Sequence, residues 1–468
     1  MPVFLTTDVL LYLLLAAVAA FVFYARRKKY LRDPWVRVFR RRSGMIAMVL
    51  LSAYVAVGVL DSVHFRPVAG YGPQGQAHYA PQVISVLDWI ATPLRKHTEK
   101  TYSAPFATRL FVKETVPGPN GKERRIYPRL KWAGAGLAHP RKQELGNVLY
   151  LGSVGAVEGL AATALLTLLL AWRLARRREQ RWRAMLARIL RARTDIPWRA
   201  GLLTAAAVLV FVFMCANLSP HYHLLGTDKV GQDVFFEAVK SIRTGLLIGT
   251  LTTLVMLPFA LLLGVMAGYL RGWVDDAIQY LYTTLSSIPG VLLIAAAVLM
   301  LQVYMENHPG LFATTAARAD LRLLFLCIIL GITSWTSLCR LLRGEALKLR
   351  EADYVVAAVG LGVSRLRVMT RHLLPNMMHI VLIQVVLDFS GLVLAEAVLT
   401  YVGVGVDPTM NSWGNMINGA RLELARDPVV WWPLLAAFLF MSVLVLAANV
   451  FADAVRDAFD PRLRSGTV

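Results

Sequence analysis

The sequence predicts an all-α polytopic membrane protein of about nine transmembrane helices, and three observations predict it. Of its 468 residues, 57% are hydrophobic, more than a soluble chain of this size needs for its core. Several apolar runs reach the roughly 20 residues that carry a helix across a bilayer. Most basic residues stand in short blocks beside those runs, where they orient helices and meet anionic headgroups. A net charge of +21 would suggest nucleic acid in a soluble chain. In this pattern orientation and membrane lipid explain it better, so no nucleic-acid partner is expected.

The first span, 4–24, is followed by the basic block ARRKKYLRDPWVRVFRRR. It is longer than a signal-peptide core, and its positive charge comes after the apolar run, so it reads as a retained helix ending in the cytoplasm. The second span, 44–60, returns outward. Residues 1–60 therefore form two N-terminal spans. Residues 61–148 differ in kind, with prolines, glycines, tyrosines and mixed charge, and read as an extracytoplasmic insertion. Its positive excess does not contradict that side, because long loops are largely exempt from the positive-inside bias. Gly121-Lys122 lacks the upstream glycine and following hydroxyl of a phosphate-binding loop and reads as a turn.

Residues 149–198 comprise a third span, 149–172, and the basic segment RLARRREQRWRAMLARILRAR. Trp182, Leu186 and Ile189 give that segment an apolar face, as expected of a cytoplasmic helix lying on headgroups. Spans at 199–217, 243–270, 284–305, 321–342, 377–402 and 431–451 complete the expected nine. They put the N-terminus outside and the C-terminus in the cytoplasm of an inner-membrane protein. Pro289-Gly290 falls inside the sixth, a break tolerated only where neighbours satisfy the freed backbone. Cys215, Cys327 and Cys339 lie in or at the edge of spans without metal-ligand or disulfide spacing, and read as small core residues. No metal site is expected.

Three constellations stand out. Before the fifth span, Gly226, Thr227, Asp228, Gly231 and Asp233 combine a glycine-permitted turn with carboxylates at a helix start, where they favour the positive end of the dipole. Read blandly, this is a capped amphipathic helix. Between the seventh and eighth spans, Arg343–Asn376 is a polar, Arg-rich stretch. Its helix-grade run Glu345 to Val359 is broken by Gly360 and Gly362, and a second basic turn leads to Leu374-Pro375. Pro375 suits the first turn of the next helix. The third constellation is Asp388 and Glu396 in the eighth span, about 80° apart at 100° per residue, so that one face could hold both. Such groups face a bundle interior or an aqueous path; hydrogen bonding between helices is the competing reading.

The glycine-elbowed stretch resembles the EAA loop of ABC importer permeases, through Ala357, Ala358, Gly362, Leu374 and Pro375. The departure is Val356, where the family's name-giving glutamate usually stands. The Gly226–Asp233 cluster is similar to the element opening the transport domain of peptide-importer permeases. Glu396, Ala397, Tyr401, Gly403 and Gly405, then Asn411-Ser412-Trp413-Gly414, then the tail NVFADAVRDAFDPRLR, resemble the same family in order. Residues 199–468 thus resemble the C-type permease of dipeptide and oligopeptide importers; 1–198 are an extended N-terminal region.

The resemblance implies half of a translocation pathway, completed by a second homologous permease. It implies two ATPase subunits that grip the loop at Ala357, Ala358, Gly360, Gly362, Leu374 and Pro375. It also implies an extracytoplasmic substrate-binding protein delivering peptide near the Gly226–Asp233 motif. The chain would have no catalytic residues and no cofactor of its own, ATP and Mg being bound by the partner subunits. A stand-alone secondary transporter of small polar solutes would explain the spans and carboxylates but not the elbowed loop.

Overall fold

The computed structural model describes residues 1–71, 77–117, 123–308 and 314–459. Gly121-Lys122 and the tail from Asp460 onward lie outside them. The N-terminal part holds β1 (Pro2–Val3), α1 (Thr6–Arg27), α2 (Lys29–Arg40) and α3 (Arg42–Ser62). The insertion supplies β2 (His64–Phe65), β3 (Val68–Tyr71), β4 (Ala77–Tyr79), β5 (Ile84–Ser85), α4 (Val86–Ile90), α5 (Thr92–Lys96), β6 (Glu114–Pro117) and β7 (Glu123–Ile126). Then come α6 (Pro140–Arg177), α7 (Trp182–Leu190), α8 (Trp198–Leu218), α9 (Val234–Leu270), α10 (Trp273–Ser287) and α11 (Gly290–Asn307). The remainder is α12 (Thr315–Ser334), α13 (Thr336–Arg350), α14 (Asp353–Gly360), α15 (Arg365–Arg367), a π turn at Val368–Leu373, α16 (Leu374–Tyr401), α17 (Trp413–Glu423) and α18 (Trp432–Phe459).

Among the described residues, nine helical stretches are long and apolar enough to cross a membrane, in agreement with the expected number. Several boundaries differ from the sequence reading, the third span beginning at Pro140 rather than 149 and the seventh at Thr315 rather than 321. The fifth span begins at Val234 rather than 243. The sixth begins at Gly290, with Pro289 as its N-terminal flank and Ile288 extended behind it. Pro289-Gly290 is therefore a junction between α10 and α11, not a break inside one helix. Proline holds the residue before it in the extended region, and at a helix start its missing N–H costs nothing.

The chain divides into two compact units, the first comprising 1–3, 39–244 and 411–447. Within it, α6 and α8 pack at backbone distance. A Cβ on Gly155 would lie 2.7 Å from the Phe213 carbonyl oxygen, and one on Gly159 2.5 Å from the Val210 Cα. Glycines four apart on one face allow this approach, a device suited to helices in lipid. Asn217 Nδ2 donates to Glu158 Oε2 at 2.7 Å across the same seam. The basic helix α7 corrects the sequence reading. Met185 and Ile189 are buried against Ala171 and Ala175, so the apolar face turns into the protein instead of onto headgroups. Trp182 (43% exposed, beside the Arg183 guanidinium) and Leu190 (58%) stay outside.

The insertion in this unit carries three small antiparallel sheets, β1-β2-β5, β3-β4 and β6-β7. At their foot Lys240 on α9 bridges the Asp88 carboxylate (2.7 and 3.0 Å). Asp88 in turn caps α4 with Ser85 in a reciprocal capping box. Burial opposes ionisation of Asp88, but Lys240 outweighs it and holds the carboxyl below its ordinary range.

The second unit comprises 4–38, 245–410 and 448–468. Its main core joins α9, α10, α13 and α16 through Met256, Ile278, Leu342, Val368 and Met377. In a second cluster Leu11 of α1 packs with residues of α9, α11, α12 and α16. There Thr6 and Thr7 donate to the Asp320 carboxylate. The block read as a bare run of positive charge contains α2, whose Val38 and Trp35 pack against Ala454, Val455, Ala458 and Phe459 of α18. Asp453 and Arg456 stay exposed, so the end of α18 is solvated on one side only.

Candidate functional site

The elbowed loop lies within the second unit and is built differently from the expected helix–elbow–helix. The run Glu345 to Val359 is interrupted: α13 ends at Arg350, and Ala352 turns extended before α14 starts. Gly360 is the last residue of α14; only Gly362, at φ +79°, takes the left-handed conformation that glycine adopts cheaply. The chain then re-enters helix through α15 and the π turn and runs on into α16, with Pro375 in its first turn as expected. A π turn here fits the chemistry. Proline at 375 offers no N–H to the carbonyl four residues back, and an i→i+5 turn absorbs the mismatch.

The two faces of α14 differ sharply. Val355 and Ala358 are buried, at 1% and 8% exposure, whereas Ala357 and Gly360 lie open beside Val356 (58%), Val359 (50%) and Leu361 (85%). Leu366, across Gly362, is 68% exposed; Leu374 is half-buried and Pro375 exposed. At the root of the loop, Arg343 forms a fork on Asp275 of α10, Nε to Oδ1 at 2.6 Å and Nη2 to Oδ2 at 2.7 Å. That fork holds the Asp275 carboxyl below the usual carboxylate range. Arg350 donates to the Tyr269 carbonyl at 3.1 Å, and Asn376 Nδ2 to the Tyr354 hydroxyl at 3.0 Å.

The Gly226–Asp233 motif lies within the first unit: Gly226, Thr227 and Gly231 meet the insertion, Asp228 its own turn, and Asp233 the start of α9 and His223. Thr227 Oγ1 accepts from Ser103 N–H (2.7 Å) and donates to the Thr101 carbonyl (2.9 Å). Gly226 and Gly231 sit at φ +70° and +77°. A Cβ on Gly226 would strike the Ser103 carbonyl, and one on Gly231 the Glu99 carbonyl. Asp233 Oδ1 caps α9 through Phe236 N–H, while its Oδ2 meets His223 Nδ1 at 2.7 Å. Asp228 receives the N–H groups of Val230 and Gln232 and is the member that stays with its own loop. Around the motif, Trp432 Nε1 donates to the Thr227 carbonyl (3.0 Å) and Trp413 Nε1 to the Ala238 carbonyl (3.1 Å). Asn411 accepts from Thr244 Oγ1, and Ser412 caps α17.

Sequence reasoning missed the groups that complete this cluster, Glu99 and His223. Glu99 takes the N–H groups of Lys131 and Trp132 on its carboxylate, both at 2.8 Å, and its Oε1 lies 3.6 Å from His223 Nε2. Burial works against a charged imidazole, but Asp233 and Glu99 outweigh it and raise the His223 pKa to about 9. Burial likewise opposes a charged Glu99, yet His223 and the two N–H groups leave its carboxyl lowered.

His223, with its folded pKa above the unfolded ~6.5, stabilises fully below about pH 6.5 and loses that contribution as pH rises through about 9. Glu99, depressed, contributes above its ordinary range and loses its effect as pH falls through its lowered value. The unfolding temperature of the insertion is therefore expected to fall between about pH 6.5 and 9.5. In His223→Gln that alkaline decline should flatten. An equally steep decline in the variant would assign the titration elsewhere.

Asp388 and Glu396 have local partners on α16. Gln384 Nε2 donates to Asp388 Oδ1 at 2.8 Å, and Thr400 Oγ1 to Glu396 Oε1 at 2.8 Å. Glu396 is 1% exposed and Asp388 half-buried. Among the described residues no cluster of His, Cys, Asp and Glu could hold a metal ion.

Among the described residues, helices of membrane-spanning length define a polytopic helical membrane protein. Residues 260–465 match the family model of the binding-protein-dependent transport system inner membrane component. The dipeptide transport system permease protein of Bacillus subtilis is 30% identical over 249 residues, covering 53% of this chain and 72% of that one. The glutathione transport system permease protein of Pectobacterium atrosepticum is 31% identical over 244 residues, 52% and 74% of the two chains. The oligopeptide transport system permease protein of Haemophilus influenzae is 27% identical over 243 residues, 52% and 71%. The chain belongs to the dipeptide/oligopeptide family of ABC importer permeases, multi-pass inner-membrane subunits that carry no catalytic site of their own.

Proposed function

We propose that this chain is the permease subunit of an ATP-driven peptide uptake system, forming half of the translocation pathway with a second, homologous permease. Two ATPase subunits, carrying ATP and Mg, dock on the 343–376 loop, and an extracytoplasmic binding protein delivers the peptide. The N-terminus lies outside and the C-terminus in the cytoplasm. The observation that carries this reading is the two-faced α14. Val355 and Ala358 seat it in the permease core, while Val356, Val359, Leu361 and Leu366 present apolar surface. An apolar helix face held out from a rigid seat fits helix-in-groove recognition. The Asp275–Arg343 fork supports the coupling role by tying the root of the loop to α10. Val356 itself adds apolar area where a glutamate would add a charge. Asp388 and Glu396 are the candidates for polar contact with the transported peptide.

Co-purification tests the docking. ATPase subunits are expected to remain with the wild-type chain, and retention should drop by at least about tenfold in Val359→Asp/Leu361→Asp, since acidic groups on a docking face leave buried charge unpaired. Peptide uptake by the purified single chain without nucleotide would overturn the assignment.

A further inference from the structure

The last turns of α6 have two unlike sides. Ala171, Leu174 and Ala175 turn toward α7 and α8, in one cluster with Met185, Ile189 and Trp198. Trp172, Arg173, Arg176 and Arg177 stand on the opposite side, all exposed, within an arc of about 140° at roughly 100° per residue. They line one open groove of about 340 Å³. The Arg176 guanidinium lies 5.1 Å from the centre of the Trp172 ring.

No carboxylate answers these three arginines. Among the described residues, no ion pair reaches Arg173, Arg176 or Arg177. Of the nearest acids in the chain, Asp195 pairs at 3.1 Å with Arg178, which stands on the α7 side of the helix. Glu179 has left the helix, at φ +51°. Glu158, the next acid back along α6, takes the Asn217 amide. Like charges three and four residues apart repel one another. An anion from outside the chain would relieve that repulsion.

The groove also sits at an apolar boundary. On the same side of α6, Leu165 and Leu169 are exposed and fall in line with Trp172 and Arg176, at spacings of four and three. Leu174 and Trp198 share a cluster, so the end of one membrane-length helix comes level with the start of another. A leucine face followed by tryptophan and arginine is the composition of the zone where acyl chains give way to headgroups.

We propose that Arg173, Arg176 and Arg177 form a binding site for an anionic phospholipid, its phosphate held by the guanidiniums and its acyl chains laid along Leu169 and Leu165. Charge and shape select this occupant. A guanidinium fork matches phosphate oxygens, and the adjoining apolar face suits lipid tails, which a soluble anion lacks. The site stands in the N-terminal extension, outside the matched residues 260–465.

The test titrates the full chain, with the subunits that accompany it, in neutral detergent and counts bound lipid by native mass spectrometry. Wild type is expected to hold phosphatidylglycerol at least about tenfold more tightly than phosphatidylcholine, and Arg173→Gln/Arg176→Gln/Arg177→Gln to lose that preference. Arg173→Lys/Arg176→Lys/Arg177→Lys keeps the charge that orients the helix, so it reads the site even if the neutral variant inserts wrongly. There the affinity for phosphatidylglycerol should fall about threefold, because an ammonium offers no fork. Arg181→Gln/Arg191→Gln/Arg193→Gln removes the same charge from exposed positions outside the groove and should leave the titration unchanged. Equal losses in the two glutamine variants would make the effect one of general surface charge and overturn the site. Inorganic phosphate that binds as tightly as phosphatidylglycerol would make it a free-anion site and overturn the lipid assignment.

Discussion

Gly231→Ala is expected to unfold the junction between the insertion and the 226–233 motif, at a cost of at least about 3 kcal/mol. Two effects add. The residue sits at φ +77°, where a side chain costs about 1 kcal/mol or more. The new Cβ would also land on the Glu99 carbonyl, which is backbone and cannot swing away as a side-chain tip would. Retreat of that irregular segment would break the hydrogen bond from Glu99 N–H to the Gly231 carbonyl (2.9 Å) and pull the Glu99 carboxylate from Lys131 and Trp132. Limited proteolysis of the insertion, followed against temperature, reads the effect. An Ala variant cleaved at the wild-type rate would mean that the loop has room the structure does not show.

Arg343→Met is expected to separate uptake from ATPase binding. The methionine keeps the aliphatic volume but leaves Asp275, whose side chain is 12% exposed, facing an apolar neighbour. Losing one partner of a buried pair costs 3–5 kcal/mol; partial exposure on both sides reduces this to about 2 kcal/mol. Because α14 keeps its own seat through Val355 and Ala358, the ATPase subunits should still co-purify. Peptide uptake should fall about tenfold. Restoring neutrality with Asp275→Asn/Arg343→Met should recover part of the stability, and the double-mutant cycle gives the coupling energy. Uptake equal to wild type in the single variant would remove the fork from the path between ATPase and membrane.

Much of the fold was legible because bilayer thickness writes itself into run length: nine apolar stretches were read and nine membrane-length helices are found among the described residues. Boundaries were less legible where turn chemistry competes with hydropathy. Pro289-Gly290 looked like a flaw in an apolar run but acts as a start signal. The break at Glu351–Ala352 had no glycine or proline to announce it. The elbow at Gly362 was visible, because a left-handed position demands that residue. The embrace of the motif by the insertion was not. Ser103 and Thr227 meet across 124 residues of chain, a pairing with no periodicity to betray it. Glu99 and His223 were invisible for the same reason, single titratable residues in irregular segments. The packing of α7 is not legible in the sequence, because an amphipathic face says that something apolar covers it, not what.

The interleaving of the first unit has a practical meaning for anyone who shortens this polypeptide. Starting translation near residue 199 would yield a chain close to the length its relatives match, yet it would discard half of a handshake. Thr227 would lose the backbone of residues 101–103, His223 would keep one carboxylate of two, and the turn at Gly231 would open to water. Matched length and self-sufficiency are separate properties here, because the extension supplies contacts that the shared portion's turn uses.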